Sequence, residues 1–299
     1  MTAGAFRSGL VTILGRPNVG KSTLFNRLVG EKVSIVSRRP QTTRHRVLGI
    51  RTTEAAQIVY VDTPGLHPPE GRQLNRYLAR LARGSVEGVD AVVLMITADG
   101  WRPEDELGLE VARQLTIPVL LVINKIDRLK DRAALLPLIE ESASRMAFAE
   151  IVPLSARTGD NIAALERALP RYLPEQPPIY PVAQRTDKSE RFQAAELVRE
   201  QVYALYGQEV PHATAVEIGR YRRTKDRLDI AATLWVEKEG QKAILIGARG
   251  ERLKRVGVRA RRALERIHGV KVNIELWVKV RKGWSDDVQA LQRLGYHEE

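Results

Sequence analysis

The sequence contains no cysteine, which removes disulfides, thiolate zinc sites and any disulfide-linked partner. A metal, if used, has to be held by oxygen or histidine, and the composition suits a reducing compartment. Long apolar runs are also missing. The longest, "AVVLMI" at 91–96 and "IPVLLVI" at 117–123, fall far short of the roughly 20 residues that span a bilayer. "LVTIL" at 10–14 is too short for the core of a signal peptide, so a cytoplasmic protein is expected. Internal repeats and low-complexity tracts are absent as well. What remains is a chain of 299 residues, 43% hydrophobic and 28% charged, long enough for two globular domains. Its net charge of +12 is concentrated: the stretch 247–282 holds twelve basic side chains and three acidic ones. Such a patch suits a polyanion, either nucleic acid or an anionic membrane surface, and the plain alternative is a solvated helix face.

Up to about residue 172 short aliphatic runs alternate with amphipathic stretches. Strands are expected at 10–14, 46–52, 57–61, 91–96, 118–123 and 150–153, and helices near 21–29, 103–115, 131–146 and 159–172. That alternation argues for an α/β fold with a mostly parallel sheet covered on both faces. "LPEQPPIYPV" at 173–182 has four prolines in ten residues and reads as a linker. The domains expected are therefore 1–172, a linker over 173–188, and 189–299. In the second domain a helix over 189–206 with Ser189 as its cap precedes strands at 213–222 and 228–237. A glycine turn flanked by helical sequence and a strand at 270–280 complete an α-β-β-α-α-β order. Periodicity leaves "QKAILI" at 241–246 open between a helical turn and a short strand.

Gly15 and Gly20 followed by Lys21 and Ser22 match G-x-x-x-x-G-K-[ST], placed after a strand and at the start of a helix. In such a loop, here Gly15 to Thr23 with Asn18 and Val19 at its bend, backbone N–H groups curl around phosphates at the positive end of the helix. Lys21 reaches the terminal phosphates and Ser22 can ligate Mg²⁺. A structural glycine turn with an incidental lysine is the alternative. "DTPG" at 62–65 places Asp62 where a carboxylate can hold the metal shell and Gly65 where an amide can feel the γ-phosphate. "NKID" at 124–127 and "SAR" at 155–157 also follow strands, at the carboxyl ends where open α/β sheets bind ligands. A guanine edge offers two adjacent N–H donors that the Asp127 carboxylate can accept together, whereas adenine would leave a lone pair facing the charge. Lys125 can lay its stem over the base, Asn124 can tie loops together, and the Ala156 amide beside Ser155 can donate to guanine O6. Alone, "NKID" could be a helix cap. Four such motifs in order point to a guanine nucleotide.

The segments "GRPNVGKST", "QTTRHR", "DTPGLH" and "NKID" resemble a translation-factor-class GTPase domain, and the Era family of bacterial GTPases in particular. The resemblance implies GTP or GDP with Mg²⁺ as ligands and slow hydrolysis of GTP. It makes "RRPQTTRHR" at 38–46 the first switch loop, with Thr43, or else Thr42, ligating Mg²⁺ only when the γ-phosphate is present. Leu66 occupies the position where the best-known small GTPases carry a glutamine that orients the attacking water. A leucine can do no such thing. Similarity to GTPases with the same replacement implies that Asn18 helps hold a potassium ion near the β- and γ-phosphates; the alternative is that Asn18 only shapes the loop.

"GARG" at 247–250, a G-x-x-G turn between two helices, resembles a KH fold of the second type, an α+β domain that clamps about four nucleotides of single-stranded RNA. Gly247 and Gly250 let the sugar-phosphate chain approach, Ala248 and Arg249 form the turn, and Arg252, Lys254 and Arg255 follow on the next helix. A lone G-x-x-G can also simply end a helix. By the Era resemblance the RNA is the 3′ region of small-subunit ribosomal RNA, and the role lies in 30S subunit assembly. Strand parity puts Trp235 and Trp277 on the sheet face away from the helices, where they either pack together or on a neighbour, or stack with bases. Two rival functions remain: an RNA scaffold that holds GTP without hydrolysing it, and a peripheral membrane GTPase anchored weakly by its basic helix.

Overall fold

The computed structural model describes residues 5–66, 73–207 and 209–296. Contacts divide the chain into two compact units, Met1–Ser34 with Thr43–Pro69 and Leu78–Asp187, and Ile35–Thr42 with Glu70–Tyr77 and Lys188–Glu299. His67 of "DTPGLH" lies outside the described residues.

The first unit is a six-stranded sheet. Its strands are β1 (Arg7–Leu14), β2 (Val47–Thr52), β3 (Ala56–Asp62), β4 (Ala91–Thr97), β5 (Val119–Asn124) and β6 (Glu150–Leu154), in spatial order β2-β3-β1-β4-β5-β6. β2 pairs antiparallel with β3 and every other pairing is parallel. Every residue of β4 and β5 is buried, the continuous apolar run expected of central parallel strands covered on both faces. Helices α1 (Lys21–Val29), α2 (Gln73–Gly84, of which Leu78 onward belongs to this unit), α3 (Glu106–Arg113), α4 (Leu135–Arg145) and α5 (Ile162–Ala168) connect the strands. Helix α2 was not anticipated from the sequence, although Leu74, Leu78 and Ala82 recur at helical spacing and are buried.

The proline-rich stretch forms neither helix nor strand, and it is tied down along its length. Ser8 donates its amide to the Pro174 carbonyl at 3.1 Å and its hydroxyl to Pro177 at 2.7 Å. The fully buried Gln57 side chain accepts from the Ile179 and Tyr180 amides at 2.8 Å each and donates to the Tyr180 carbonyl at 2.8 Å. Farther on, Ile50 N–H donates to the Arg185 carbonyl at 2.8 Å and Leu48 N–H to Asp187 Oδ1 at 2.9 Å.

The second unit contains α6 (Glu190–Leu205), the one-turn α7 (Glu209–His212), β7 (Ala215–Arg223), β8 (Arg227–Val236), α8 (Glu239–Ile246), α9 (Glu251–His268), β9 (Lys271–Val280) and α10 (Val288–Arg293). Ser189 caps α6, its hydroxyl accepting from Phe192 N–H at 3.2 Å. The sheet order is β7-β8-β9, with β7–β8 antiparallel and β8–β9 parallel. Residues 241–246 are helical, which settles the open choice: the Gln241 side chain accepts from the Glu237 and Lys238 amides at 3.0 and 3.1 Å at the start of α8, and the backbone turns at Gly247. In β8 the side chains of Leu228, Ile230, Ala232, Leu234 and Val236 are buried in alternation, packing with Val198, Val202 and Ala194 of α6 and with Val256, Ala260 and Leu264 of α9. Among the described residues no helix is long and apolar enough to cross a membrane.

Candidate functional site

The phosphate loop leaves β1 at Leu14 and enters α1 at Lys21. Gly20 has φ +114°, and a Cβ there would lie 2.3 Å from the Asn124 amide nitrogen, so only glycine fits. Lys21 is buried, its Nζ donating to the Gly15 carbonyl at 2.9 Å and the Arg16 carbonyl at 3.1 Å. Burial brings its pKa down to about 8, opposed by Asp62 and reinforced by Arg16. The loop is held from the side by β5, the Asn124 side chain donating to the Val19 carbonyl at 2.7 Å and Lys125 Nζ to the Asn18 carbonyl at 2.6 Å. Asn18 itself is exposed with φ +64°, and Thr23 follows Ser22 in the first turn of α1.

Beside Lys21 lies a cluster of oxygens. Ser22 Oγ is 2.9 Å from Thr43 Oγ1, Thr43 Oγ1 is 3.4 Å from Asp62 Oδ2, and Ser34 donates to the same Asp62 oxygen at 2.6 Å. The other Asp62 oxygen is buried and has no hydrogen-bond partner. Burial pushes the Asp62 carboxyl up against the pull of the Ser34 and Ser22 hydroxyls and Lys21. Two hydroxyls and a carboxylate with an unsatisfied oxygen suit a hard cation such as Mg²⁺. Thr42 is turned differently, its hydroxyl bonded to Ser37 at 2.7 Å and to the Arg39 carbonyl at 2.8 Å. Gly65 passes close to the loop, where a Cβ would sit 2.7 Å from Pro17 N, and Leu66 N–H donates to the Gly15 carbonyl at 3.2 Å. The Leu66 side chain is only 3% exposed and packs in the core with Leu94 and Leu109.

At the base-recognition end Asp127 accepts from Ser155 Oγ at 2.5 Å and from Arg157 Nη2 at 2.5 Å. The Ser155 hydroxyl, aided by Arg157, holds this carboxyl below its ordinary range, so it is ionised as a guanine acceptor must be. Ala156 N–H donates to Asn124 Oδ1 at 2.9 Å, and Arg27 of α1 donates to the Arg157 carbonyl at 2.7 Å. Phosphate loop, metal cluster and base pocket thus converge on the carboxyl ends of β1, β3, β5 and β6.

In the second unit Gly247, Arg249 and Gly250 adopt φ +71°, +51° and +77°, turning the chain sharply between α8 and α9. A groove of about 330 Å³ opens next to it, lined by Gly250, Lys254, Gly257 and Arg261 on one side and by Asn273, Ile274 and Leu276 of β9 on the other. Lys254 faces this groove, whereas Ala248, Arg249, Arg252 and Arg255 are exposed and do not line it. Burial pushes the Tyr206 hydroxyl, which donates to the Leu245 carbonyl of α8 at 2.7 Å, up to about 12, and the charges of Arg252 and Arg255 act against that shift. Sequence reasoning missed Gly257, Arg261 and the β9 wall. The signal was there, since 250, 254, 257 and 261 share one helical stripe. The tryptophans divide. Trp235 is half-buried, donates Nε1–H to Glu217 at 2.7 Å and has Lys279 Nζ 5.8 Å from its ring. Trp277, opposite Thr233 rather than Trp235, is 47% exposed.

A phosphate loop, a serine–threonine–aspartate cluster and an ionised guanine acceptor on a mostly parallel sheet define a guanine-nucleotide-binding P-loop protein, here with a G-x-x-G domain behind it. Residues 10–125 match the family described as 50S ribosome-binding GTPase, and residues 209–285 match the KH domain. The chain is 54% identical over 288 residues to the GTPase Era of Stenotrophomonas maltophilia, covering 96% of this chain and 97% of that one. It is 49% identical over 290 residues to the GTPase Era of Coxiella burnetii, covering 97% and 98%. A crystal structure of Era in complex with MgGDPNP and nucleotides 1506–1542 of 16S ribosomal RNA superposes with a TM-score of 0.93 at 41% identity, covering 98% of this chain and 100% of that one. The chain belongs to the Era family of GTPases.

Proposed function

We propose that this GTPase is a nucleotide-controlled RNA-binding protein that takes the 3′ region of small-subunit ribosomal RNA and acts in assembly of the 30S subunit. The observation that carries the reading is the presence of two phosphate-gripping glycine turns in one chain, one followed by Lys21 and Ser22, the other opening a groove with Lys254 and Arg261. An Era structure holding 16S ribosomal RNA and MgGDPNP supports the choice of partner. In this reading 1–172 is the nucleotide domain, 173–188 the linker and 189–299 the RNA domain. Ser22, Thr43 and Asp62 hold Mg²⁺, which when bound neutralises charge on the β- and γ-phosphate oxygens. Asp127, with Ser155 behind it, selects guanine. Lys125 covers the base, and the Ala156 amide serves O6 once it gives up its hydrogen bond to Asn124 Oδ1.

Hydrolysis proceeds by in-line attack of water on the γ-phosphorus as the bond to the β–γ bridging oxygen breaks. Lys21 offsets the negative charge that develops on the γ-phosphate and the bridging oxygen. The Gly65 amide faces the γ-phosphate, so this turn and the Thr43 loop relax when phosphate leaves. Leu66 contributes no side-chain hydrogen bond, and intrinsic turnover is slow. Asn18 helps place a potassium ion, and equal turnover in potassium and sodium would end that assignment. The protein is placed in the cytoplasm with at most a weak peripheral association with membrane, which vesicle co-sedimentation tests. The deciding experiment recovers bound RNA from cells for the wild type and for Gly250→Asp. Enrichment of the 3′ end of small-subunit ribosomal RNA with the wild type alone is the expected result; identical RNA profiles would refute the reading.

A further inference from the structure

Arg16 is the second residue of the phosphate loop, yet its charge is directed away from the loop's interior. Its Nη2 donates to Thr97 Oγ1, at the end of β4, at 2.8 Å, and its Nε lies 3.1 Å from Asp105 Oδ1 in the turn that opens α3. The Asp105 side chain is 1% exposed and that of Arg16 is 12% exposed, so the pair is withdrawn from water. The second Asp105 oxygen accepts Arg102 N–H at 3.0 Å, which fixes the carboxylate against its own turn. A carboxylate buried this deeply is costly unless a cation meets it, and here the Arg16 guanidinium meets it as a close ion pair, while Nε and Oδ1 make no aligned hydrogen bond. Meanwhile the main chain of Arg16 does the opposite job: its carbonyl, with that of Gly15, receives the Lys21 ammonium. Asn124 and Lys125 grip the loop only at Val19 and Asn18.

We propose that Arg16 is a positioning residue of the phosphate loop, clamped by Asp105 and Thr97 so that its carbonyl places the Lys21 ammonium where the terminal phosphates bind. Releasing the clamp lets the Arg16 carbonyl drift while Leu66 still holds Gly15 and β5 still holds the later part of the loop, so the harm falls on the Lys21 ammonium and grows with the number of phosphates. The test measures binding of a non-hydrolysable GTP analogue, GDP and GMP by competition, together with thermal melting, in Arg16→Lys, Asp105→Asn and the double variant Arg16→Leu/Asp105→Leu. Expected is a loss of about tenfold for the GTP analogue, less for GDP and little for GMP, because misplacement acts on the groups that Lys21 touches. The double variant replaces a buried ion pair by apolar groups and is expected to recover melting temperature without recovering affinity for the GTP analogue. Should affinity return along with stability, or all three nucleotides weaken equally, or none weaken, Arg16 is a structural residue only. If Asp105→Asn fails to fold, Arg16→Lys and the double variant still decide the matter.

Discussion

Lys21 holds its charge in a buried place, with a pKa of about 8 against an ordinary 10.5. The charged form grips phosphate, so affinity for GTP is expected to stay level below pH 8 and to fall as pH rises past it. In the protein without nucleotide the same group works in the other direction. The unfolded chain binds more protons than the folded one between about 8 and 10.5, so this lysine's contribution to stability rises across that window. Titrating the dissociation constant against pH for wild type and Lys21→Met checks the first statement, and the variant should lose the step. Leu66 gives a second residue-scale outcome. Because its side chain is in the core, Leu66→Gln is expected to destabilise the fold by about 2–3 kcal/mol rather than to speed hydrolysis, which melting and single-turnover assays separate. Lys21, Asp62, Asp127 and Ala156 were legible in the sequence because a short motif after a strand announces each, whereas Thr43 lies in the loop before β2 and was reached only through the family resemblance. Arg16 was not. Its role depends on Thr97 and Asp105, about eighty and ninety residues away, and no local pattern joins them.

At the scale of elements, α9 presents two basic faces that the sequence displays as one run. Lys254 and Arg261 line the groove with β9, while Arg252 and Arg255 do not. Arg261→Ala is therefore expected to weaken binding of a short single-stranded RNA several-fold more than Arg255→Ala, in filter binding at fixed salt. Equal effects would mean that the helix acts as an undifferentiated cationic rod. A run of arginines is readable as charge, but its partition between faces needs the element it packs against. The same limit explains α8: six apolar-rich residues before a glycine carry no decisive period, and the choice fell to the capping Gln241 and the turn at Gly247. The strand parity of β8 was readable, because its buried and half-buried residues alternate strictly, whereas in β9 only Val272 and Val278 are fully buried and the residues 273–276 between them are all half-buried. The separate fates of Trp235 and Trp277 were not, since register decides who lies opposite whom.

For the whole molecule, the charge of +12 predicts that RNA binding depends steeply on salt. With about four phosphate contacts on a single strand, each doubling of salt should lower affinity roughly sevenfold, and a flat profile would point to recognition without the backbone. Composition marked the stretch after residue 172 as proline-rich and irregular, yet it said nothing of attachment, and residues up to Asp187 group with the first unit. The hydrogen bonds from Ile50 and Leu48 to Arg185 and Asp187 show what the stretch does for β2, the last strand on its side of the sheet. An outermost strand with bare N–H and C=O groups invites pairing with another chain. The protein supplies that pairing from itself. A fragment ending at Tyr172 should consequently self-associate in sedimentation, while one ending at Asp187 stays monomeric, so that what composition marks as a spacer serves as a guard against aggregation.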